Sequence, residues 1–308
     1  MDLSKIWIVI NLIPRGIIKR KGGICMDLQE LCRKVIQARP RNSHKGSYGR
    51  VLLIGGLYPY GGAIIMAALA SVNSGAGLVT VATEKDNIPA LHSHLPEAMA
   101  FSFDDQALLI SSLENADLVL IGPGFGENSR AEQLLDFVFE HLSDQQILVL
   151  DGSALTLVAK QNRKNFPCKQ VILTPHQKEW ERLSAIPVAD QTSQRNLEAL
   201  QSFQENTILV AKSSATQILK TQPNQVTPIG AGGPYQATGG MGDTLAGMIA
   251  GFAVQFPLVQ LYERILVATY LHSYIADQLA QDYYLVKPTD VSRNIQKTML
   301  QFQTQTTA

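Results

Sequence analysis

Short apolar segments alternate with helical segments along most of this 308-residue chain. Strands that alternate with helices are typical of βαβ units, in which a mostly parallel sheet is covered by helices on both faces. The alternation therefore predicts an α/β fold. Expected buried strands lie at 50–54, 77–83, 117–121, 147–150, 171–173 and 207–211, and a further strand at 216–220 is expected to form a hairpin near the sheet's edge.

Residues 26–308 contain no linker, repeat or low-complexity run, so we expect one domain there. Residues 1–25 differ, because their apolar run at 6–10 is too short to span a bilayer and no small-residue cleavage site follows it. Lys21-Gly22-Gly23 lies just before Met26 and is what a purine-rich ribosome-binding site would encode if it were translated. We therefore expect residues 1–25 to be a non-native or disordered leader, with translation starting at Met26.

The charge balance narrows the classes of partner. Lys plus Arg and Asp plus Glu number 26 each, so no global basic field favours nucleic acid or an anionic membrane surface. The three cysteines, Cys25, Cys32 and Cys168, have no metal-ligand spacing. An odd number of scattered cysteines favours reduced thiols and a cytoplasmic protein.

A glycine-rich turn leads into a helical segment near residue 240. Gly239, Gly240 and Gly242 precede and flank the start of this segment, and Asp243 follows them directly. Such a turn directs backbone N–H groups and the positive end of a helix dipole towards an anion, typically a phosphate, and glycine permits positive φ angles there. A carboxylate beside bound phosphate can act as a general base. The alternative is an ordinary helix start that Asp243 caps.

Glycine or polar residues follow nearly every predicted strand. In an open parallel sheet, ligands bind beyond the carboxyl ends of the strands, so these residues and Asp243 are expected to meet at one edge. Each segment alone could be an ordinary turn. The segments are Gly55-Gly56, Gly122 to Gly126, Asp151, Thr174-Pro175-His176 and Lys212-Ser213-Ser214.

Three side chains and one loop each have a role that can be predicted separately. His176 is a candidate donor to a ligand carbonyl or phosphate, or else a surface histidine, and Lys212 is a candidate partner for nucleotide phosphate, or else a solvated lysine. His272 lies in a hydrophobic helix and is expected to be a satisfied core residue. The loop at 122–126 matches neither the dinucleotide fingerprint nor the Walker pattern, and we expect a turn that lets substrate lie against backbone.

Taken in order, the motifs between His44 and Asp290 resemble those of the ADP- or ATP-dependent NAD(P)H-hydrate dehydratases of the ribokinase-like superfamily. The matching segments are 44–46, 49–51, 54–56, 60–63, 74–80, 122–126, Asp151 with Ala154-Leu155, 173–176 and 240–243. The resemblance implies a three-layer ribokinase-like sandwich. It also implies a hydro-lyase of metabolite repair that dehydrates the S form of NADHX or NADPHX at the expense of ADP or ATP. Phosphorylation of the hydrate hydroxyl and elimination of phosphate would return NADH or NADPH.

The same resemblance implies site residues and partners. Asp243 would be the base, and Mg²⁺ on the nucleotide phosphates is expected without a dedicated carboxylate cage. A homo-oligomer, specifically a tetramer, is also implied. The hydrate would bind near Ala63, Gly124, Gly126, His176 and Asp243, and the nucleotide near Lys212, Ser213, Ser214, Ala215, Thr216, Gly240 and Gly242.

Two alternative functions remain open on the sequence. A small-molecule kinase acting on a vitamin-precursor hydroxyl would use the same glycine-rich turn and Asp243, because a fold does not determine a function. Ser153 and Ser213 stand where the family commonly has Asp and Gly. These two departures favour a third function, that of a non-catalytic nucleotide-binding regulator.

Overall fold

A computed structural model of the chain describes residues 17–19 and 25–303. The strands are β1 (Ile17–Lys19), β2 (Cys25–Asp27), β3 (Arg50–Ile54), β4 (Leu78–Thr83), β5 (Met99–Ser102), β6 (Leu118–Ile121), β7 (Ile147–Leu150), β8 (Gln170–Leu173), β9 (Thr207–Ala211), β10 (Gln217–Thr221) and β11 (Asn224–Pro228). The helices are α1 (Leu28–Val35), α2 (Gly61–Asn73), α3 (Asn87–His94), α4 (Gln106–Asn115), α5 (Ser129–His141), α6 (Gly152–Lys160), α7 (Gln177–Ser184), α8 (Ser193–Leu200), α9 (Met241–Val254), α10 (Leu261–Leu279) and α11 (Pro288–Phe302).

Strands β3 to β11 form one nine-stranded sheet within residues 25–303, in the order β11-β10-β9-β8-β7-β6-β3-β4-β5. Strands β3 to β9 pair in parallel, whereas β10 pairs antiparallel with both β9 and β11. The antiparallel pairing of β10 with β9 and β11 is the hairpin that was predicted near the sheet edge.

The strand order reverses between β3 and β6, which is where open α/β sheets form a crevice for ligands.

The central strands end level with one another. Ile54 pairs with Ile121, Ile121 with Leu150, and Leu150 with Leu173. Because these strands are parallel and in register, the residues that follow them leave the sheet at the same edge. This register brings segments that are far apart in sequence to one place.

Helices cover both faces of the sheet. In β6 all four residues are buried, and successive side chains point to opposite faces. Leu118 and Leu120 pack into a core shared with α2, α9 and α10, whereas Val119 and Ile121 pack into a core shared with α5 and α6. The arrangement confirms the predicted three-layer sandwich.

Small residues hold α9 close against α2. A Cβ atom added at Gly247 would overlap the carbonyl oxygen of Ala67, and one added at Gly251 would lie 2.6 Å from the Cβ atom of Ser74. Because the two helices approach backbone to backbone, no larger side chain fits at either position. This contact fixes α9, and with it the glycine-rich turn that precedes it.

Several elements were not predicted from the sequence. The segment between β4 and β6 forms α3, β5 and α4, and β11 completes the edge hairpin. Strand β5 is short, lies at the sheet edge and has no buried residue, so it lacks a strong apolar pattern. Helix α6 follows Asp151 directly, where only its first residues belonged to a predicted motif.

The expectations for residues 1–25 lie mostly outside the described residues. Within the described part, the backbone of β1 pairs antiparallel with that of β2. A translation start at Met26 stays a prediction. In the part of the chain that the structure describes, no helix combines the length and the apolar character that crossing a bilayer requires.

Candidate active site

The loops that follow the parallel strands meet at one edge of the sheet, as predicted. The backbone N–H of Gly56, after β3, donates to the carbonyl of Pro123, after β6, at 2.9 Å. A Cβ atom at Gly122 would overlap the carbonyl oxygen of Asp151, after β7. His176, after β8, forms a parallel β-bridge with Lys212, after β9. These contacts join the ends of β3, β6 and β7 to one another and the end of β8 to that of β9.

A buried ion pair lies at this edge of the sheet. Asp151 is 2% exposed, and its Oδ1 atom accepts hydrogen bonds from Lys212 Nζ at 2.8 Å and from Thr174 Oγ1 at 2.6 Å. Burial lowers the pKa of Lys212, but Asp151 and Glu179 outweigh burial, so that the pKa is raised overall. Lys212 therefore keeps its positive charge at neutral pH and supplies a fixed cation.

The start of α9 faces this lysine. Gly240 is the N-cap of α9 with a φ of 92° and has no side chain to cap the helix, so the first N–H groups lack the usual capping partner. A Cβ atom at Gly242 would lie 3.2 Å from Lys212 Nζ. Of the three glycines in the turn, Gly240 alone has a positive φ. Backbone donors, a helix dipole and an ammonium group thus converge where an anion would bind.

Asp243 lies in the first turn of α9 and is partly buried. The pKa of Asp243 is raised to about 6, chiefly by burial and also by the charge of Asp151, while Lys212 opposes both effects. A carboxyl with a pKa of about 6 is ionised at neutral pH and yet more basic than an exposed aspartate. These properties suit a general base.

His176 and Glu179 form a second pair beside the lysine. The backbone N–H of His176 donates to Glu179 Oε2 at 2.8 Å, and His176 Nδ1 accepts from the backbone N–H of Lys178 at 3.1 Å. Because Nδ1 accepts, the proton of the neutral ring lies on Nε2, which is 3.3 Å from Glu179 Oε1. Burial chiefly lowers the pKa of His176. The ring can therefore present an N–H donor to a ligand.

Glu179 was not singled out from the sequence. Its side chain is 8% exposed, and burial raises the pKa of Glu179 to about 7. The available signal was the His-x-x-Glu spacing at the start of a helical segment, which is typical of a capping box. That signal predicts a cap, whereas the proximity of Lys212 and Asp151 is visible only in the fold.

The residues predicted to contact the hydrate fall into two environments. A Cβ atom at Gly124 would overlap the carbonyl of Tyr60 and lie 3.1 Å from the Cβ atom of Ala63, so Gly124 packs against the start of α2. At Gly126 no atom of the described residues lies within 4 Å of an added Cβ, so its backbone faces open space among them. Gly124 and Ala63 are thus neighbours, and Gly126 leaves room for a ligand beside them.

A cavity of about 610 Å³ extends from Lys212 and Gly242. Of the predicted nucleotide residues, Ala215 lines a smaller adjoining cavity of about 130 Å³, and Gly240 lines neither cavity. The large cavity is lined by Lys212, Ser213, Ser214, Thr216, Ala231, Gly232, Gly233, Pro234, Gln236, Ala237, Met241, Gly242, Leu245, Thr269, His272 and Ser273.

Ser213 fits its position in this wall. The residue does not have a positive φ, so glycine is not required there. Its Oγ atom accepts a hydrogen bond from the backbone N–H of Ala215 at 3.0 Å, and Thr216 Oγ1 donates to the carbonyl of Ser213 at 2.9 Å. The serine closes the turn, so this departure from the family pattern leaves the loop intact.

The expectation that His272 is a satisfied core residue is wrong. His272 is only 4% exposed, but its Nε2 atom has no hydrogen-bond partner in the described part of the chain, and the residue borders the large cavity. The expectation failed because a hydrophobic helix pattern shows which side chains are buried but does not show which buried atoms are paired.

Within residues 25–303, no group of three or more His, Cys, Asp or Glu side chains is arranged to hold a metal ion. Two of the three carboxylates near Lys212 are already engaged, since Asp151 bonds to Lys212 and Thr174, and Glu179 bonds to the backbone of His176. The donor set is therefore that of a site for anions.

Comparison with known proteins places the chain in a family. A family model described as NAD(P)H-hydrate dehydratase matches residues 51–297. The chain is 57% identical over 271 residues to the ADP-dependent (S)-NAD(P)H-hydrate dehydratase of Streptococcus pneumoniae. The aligned region covers 88% of this chain and 93% of that protein.

Solved structures agree with this comparison. A hypothetical protein from Streptococcus mutans has 55% identity and a TM-score of 0.86, covering 89% of this chain and 98% of that one. The ADP/ATP-dependent NAD(P)H-hydrate dehydratase of Bacillus subtilis, co-crystallised with ATP and Mg²⁺, has 28% identity and a TM-score of 0.77, covering 89% and 97%. The motifs, the fold and these likenesses together show that the chain belongs to the NAD(P)H-hydrate dehydratase family.

Proposed function

We propose that the protein is an ADP-dependent (S)-NAD(P)H-hydrate dehydratase, a repair enzyme that returns damaged nicotinamide cofactors to NADH or NADPH. The observation that carries the proposal is the junction of the α9 N-terminus with Lys212, where a Cβ atom at Gly242 would lie 3.2 Å from Nζ. Asp243 stands one residue further along, with a raised pKa of about 6. An anion site beside a tuned carboxylate is what phosphoryl transfer to a hydroxyl requires.

The reaction divides into two steps. Asp243 takes the proton of the hydrate hydroxyl as its oxygen attacks the terminal phosphorus of ADP, and the bond to the AMP oxygen breaks. The hydrate then carries a phosphate leaving group. Loss of that phosphate and of a proton from the neighbouring ring carbon forms the C=C bond of the reduced nicotinamide. The products are NADH or NADPH, AMP and phosphate, and Lys212 with the α9 N–H groups stabilises the phosphoryl charge.

The remaining predicted residues have positioning roles in this proposal. The hydrate lies against Ala63, Gly124 and Gly126, where the open side of Gly126 admits it. His176 presents its Nε2–H as a donor to the hydrate. The nucleotide occupies the 610 Å³ cavity. Its phosphates lie towards Gly242, and the turn that follows Lys212 surrounds its other end.

Mg²⁺ is part of the proposal as a companion of the nucleotide. Magnesium commonly binds through substrate phosphates and water with few protein carboxylates, and a site without a three-residue cluster in the described chain fits that mode. When bound, the ion would neutralise phosphate charge. Asp243 is the partly buried carboxylate near Lys212 that would face its water shell.

We also propose a homo-oligomer, a tetramer, that acts in the cytoplasm. Ile65, Leu69 and Val72 recur on one side of α2 and remain partly exposed, which suits an interface with a second copy. Cys32 and Cys168 are free thiols, in keeping with a reducing compartment.

Product analysis tests the proposed reaction. Purified protein is incubated with (S)-NADH hydrate, Mg²⁺ and ADP, and the nicotinamide products, AMP and phosphate are quantified. We expect one AMP and one phosphate for each NADH. A phosphorylated hydrate that accumulates without NADH would assign a kinase instead. Nucleotide binding without turnover would assign the regulator.

A further inference from the structure

His272 places an unpaired nitrogen at the wall of the large cavity. The residue lies on α10, is 4% exposed, and its Nε2 atom has no hydrogen-bond partner among the described residues. Burying a polar atom without a partner costs free energy, and native structures rarely leave such atoms unpaired. Because His272 lines the cavity, a ligand there can supply the missing partner.

The environment of His272 determines which partner it needs. Burial lowers the pKa of His272 to about 4, so the ring is neutral at physiological pH. A hydrogen bond to the backbone of Met241 favours the protonated ring, so the ring is the donor in that bond. Since Nε2 is the unpaired atom, the donor is Nδ1. A neutral imidazole has one donor and one acceptor, so Nε2 is an acceptor.

The position of His272 selects a part of the nucleotide. Met241 and Gly242 are the first two residues of α9, and Gly242 faces Lys212 Nζ. His272 lines the same cavity as Met241, Gly242 and Lys212. The ring therefore stands next to the proposed phosphate site. In a nucleotide the ribose adjoins the phosphates, and its hydroxyl groups are hydrogen-bond donors.

We propose that His272 is a nucleotide-binding residue whose Nε2 atom accepts a hydrogen bond from a ribose hydroxyl. This inference rests on the proposed nucleotide-dependent function and adds a selective contact to it. A deoxynucleotide that lacks this hydroxyl leaves Nε2 buried without a partner. The protein should therefore discriminate against one of the two deoxyribose forms of ADP.

A binding cycle tests the contact. Calorimetry measures the affinities of ADP, 2′-deoxy-ADP, 3′-deoxy-ADP and inosine diphosphate for the wild-type protein and for His272→Asn. Asparagine can place an amide N–H near the position of Nδ1 and has no atom at Nε2. We expect one deoxy form to bind the wild type roughly three- to tenfold more weakly than ADP, the range of one neutral hydrogen bond. His272→Asn should bind ADP and that analogue equally.

Thr269→Val is the matched control. Thr269 lies on the same helix and lines the same cavity, but its Oγ1 atom already donates to the carbonyl of Ile265 at 2.9 Å. The deoxy penalty should persist in this variant. If removal of the hydroxyl weakened binding equally in the wild type and in His272→Asn, the proposed contact would be overturned. It would also be overturned if His272→Asn changed the relative affinity for inosine diphosphate alone, because that result would implicate the base.

A second measurement needs no variant. In wild-type protein labelled with ¹⁵N-histidine, the Nε2 resonance of His272 should have the shift of an unprotonated nitrogen and should move upfield when ADP binds. A resonance that ADP leaves unmoved would overturn the contact. If the wild type bound no ADP at all, the proposed function would fail together with this inference. If ADP binds but His272→Asn does not change the affinity lost with the deoxy analogue, only the inference fails.

Discussion

Lys212 Nζ and Asp151 Oδ1 lie 2.8 Å apart although 61 residues separate them in the chain. Each follows the carboxyl end of a different parallel strand, β9 and β7, and β8 lies between those strands. Thr174, which follows β8, donates to the same oxygen at 2.6 Å. The sheet thus positions a cation whose other side faces the start of α9.

Lys212→Met is expected to reduce both stability and nucleotide affinity. It leaves Asp151, 2% exposed, with a buried charge and one hydroxyl donor, and breaking a buried pair typically costs about 3–5 kcal/mol of unfolding free energy. Urea unfolding and calorimetric titration with ADP measure the two effects. Asp151→Asn added to Lys212→Met removes the unpaired charge, so we expect it to restore part of the stability and none of the affinity.

Lys178→Met is the control for this variant. Lys178 is 66% exposed and pairs with Glu181, also near the edge of the site. An exposed pair contributes about 0–1 kcal/mol, so this variant should unfold and bind ADP nearly as the wild type does. Similar losses in the two lysine variants would show that the Asp151 pair has no special role.

Asp243→Asn is expected to lower the rate of hydrate dehydration about 10²- to 10⁴-fold, the range for a lost general base. Asparagine keeps the size of the side chain, so ADP should still bind. Asp290→Asn is a close control, because Asp290 is also the third residue of its helix but is paired with Arg293 away from the cavity. An Asp243→Asn enzyme that works at near wild-type rate would remove Asp243 from the base role.

The rate should fall on the acid side of a pKa near 6. Burial raises the pKa of Asp243 to about 6, and the base acts only when it is ionised, so kcat/KM should drop about tenfold per pH unit below that value. Glu179 has a raised pKa of about 7 and is the competing assignment. In Glu179→Gln, kcat/KM should still fall below about pH 6. If this fall disappeared in the variant, the titrating group would be Glu179 instead of Asp243.

Gly242→Ala should weaken ADP binding. Its new methyl carbon would lie 3.2 Å from Lys212 Nζ, where we place a phosphate, and crowding of this kind costs about 1–3 kcal/mol. Gly239→Ala is the control, because a Cβ atom there meets no atom of residues 25–303 within 4 Å. Calorimetric titration compares the two alanine variants. If Gly239→Ala weakened binding as much as Gly242→Ala, the phosphate would not lie between Gly242 and Lys212.

Much of the fold could be predicted because its central strands are short, apolar and bounded by glycine or polar residues. The strands at 147–150 and 207–211 have the predicted bounds. The region from Asn87 to Asn115 could not be predicted in the same way. Its strand β5 and helices α3 and α4 are stabilised by packing at the sheet edge, and their own apolar periodicity is weak.

The candidate site, like the fold, could be predicted only in part from the sequence. The sequence pattern predicted which strand ends would meet, because parallel strands bring their carboxyl ends to one edge. It did not predict Glu179 as a site residue or the unpaired atom of His272. Both depend on burial and on neighbours that are distant in sequence. The roles assigned to individual residues therefore stay predictions that the variants above test.

Recovery of nicotinamide absorbance tests the central claim most directly. Wild-type protein and Mg²⁺ are added to an equimolar mixture of the S and R forms of NADH hydrate, with ADP, with ATP or without nucleotide. We predict that absorbance returns with ADP, stops at half of the total hydrate because only the S form is used, and stays flat without nucleotide. Absorbance that neither ADP nor ATP restores would contradict the account.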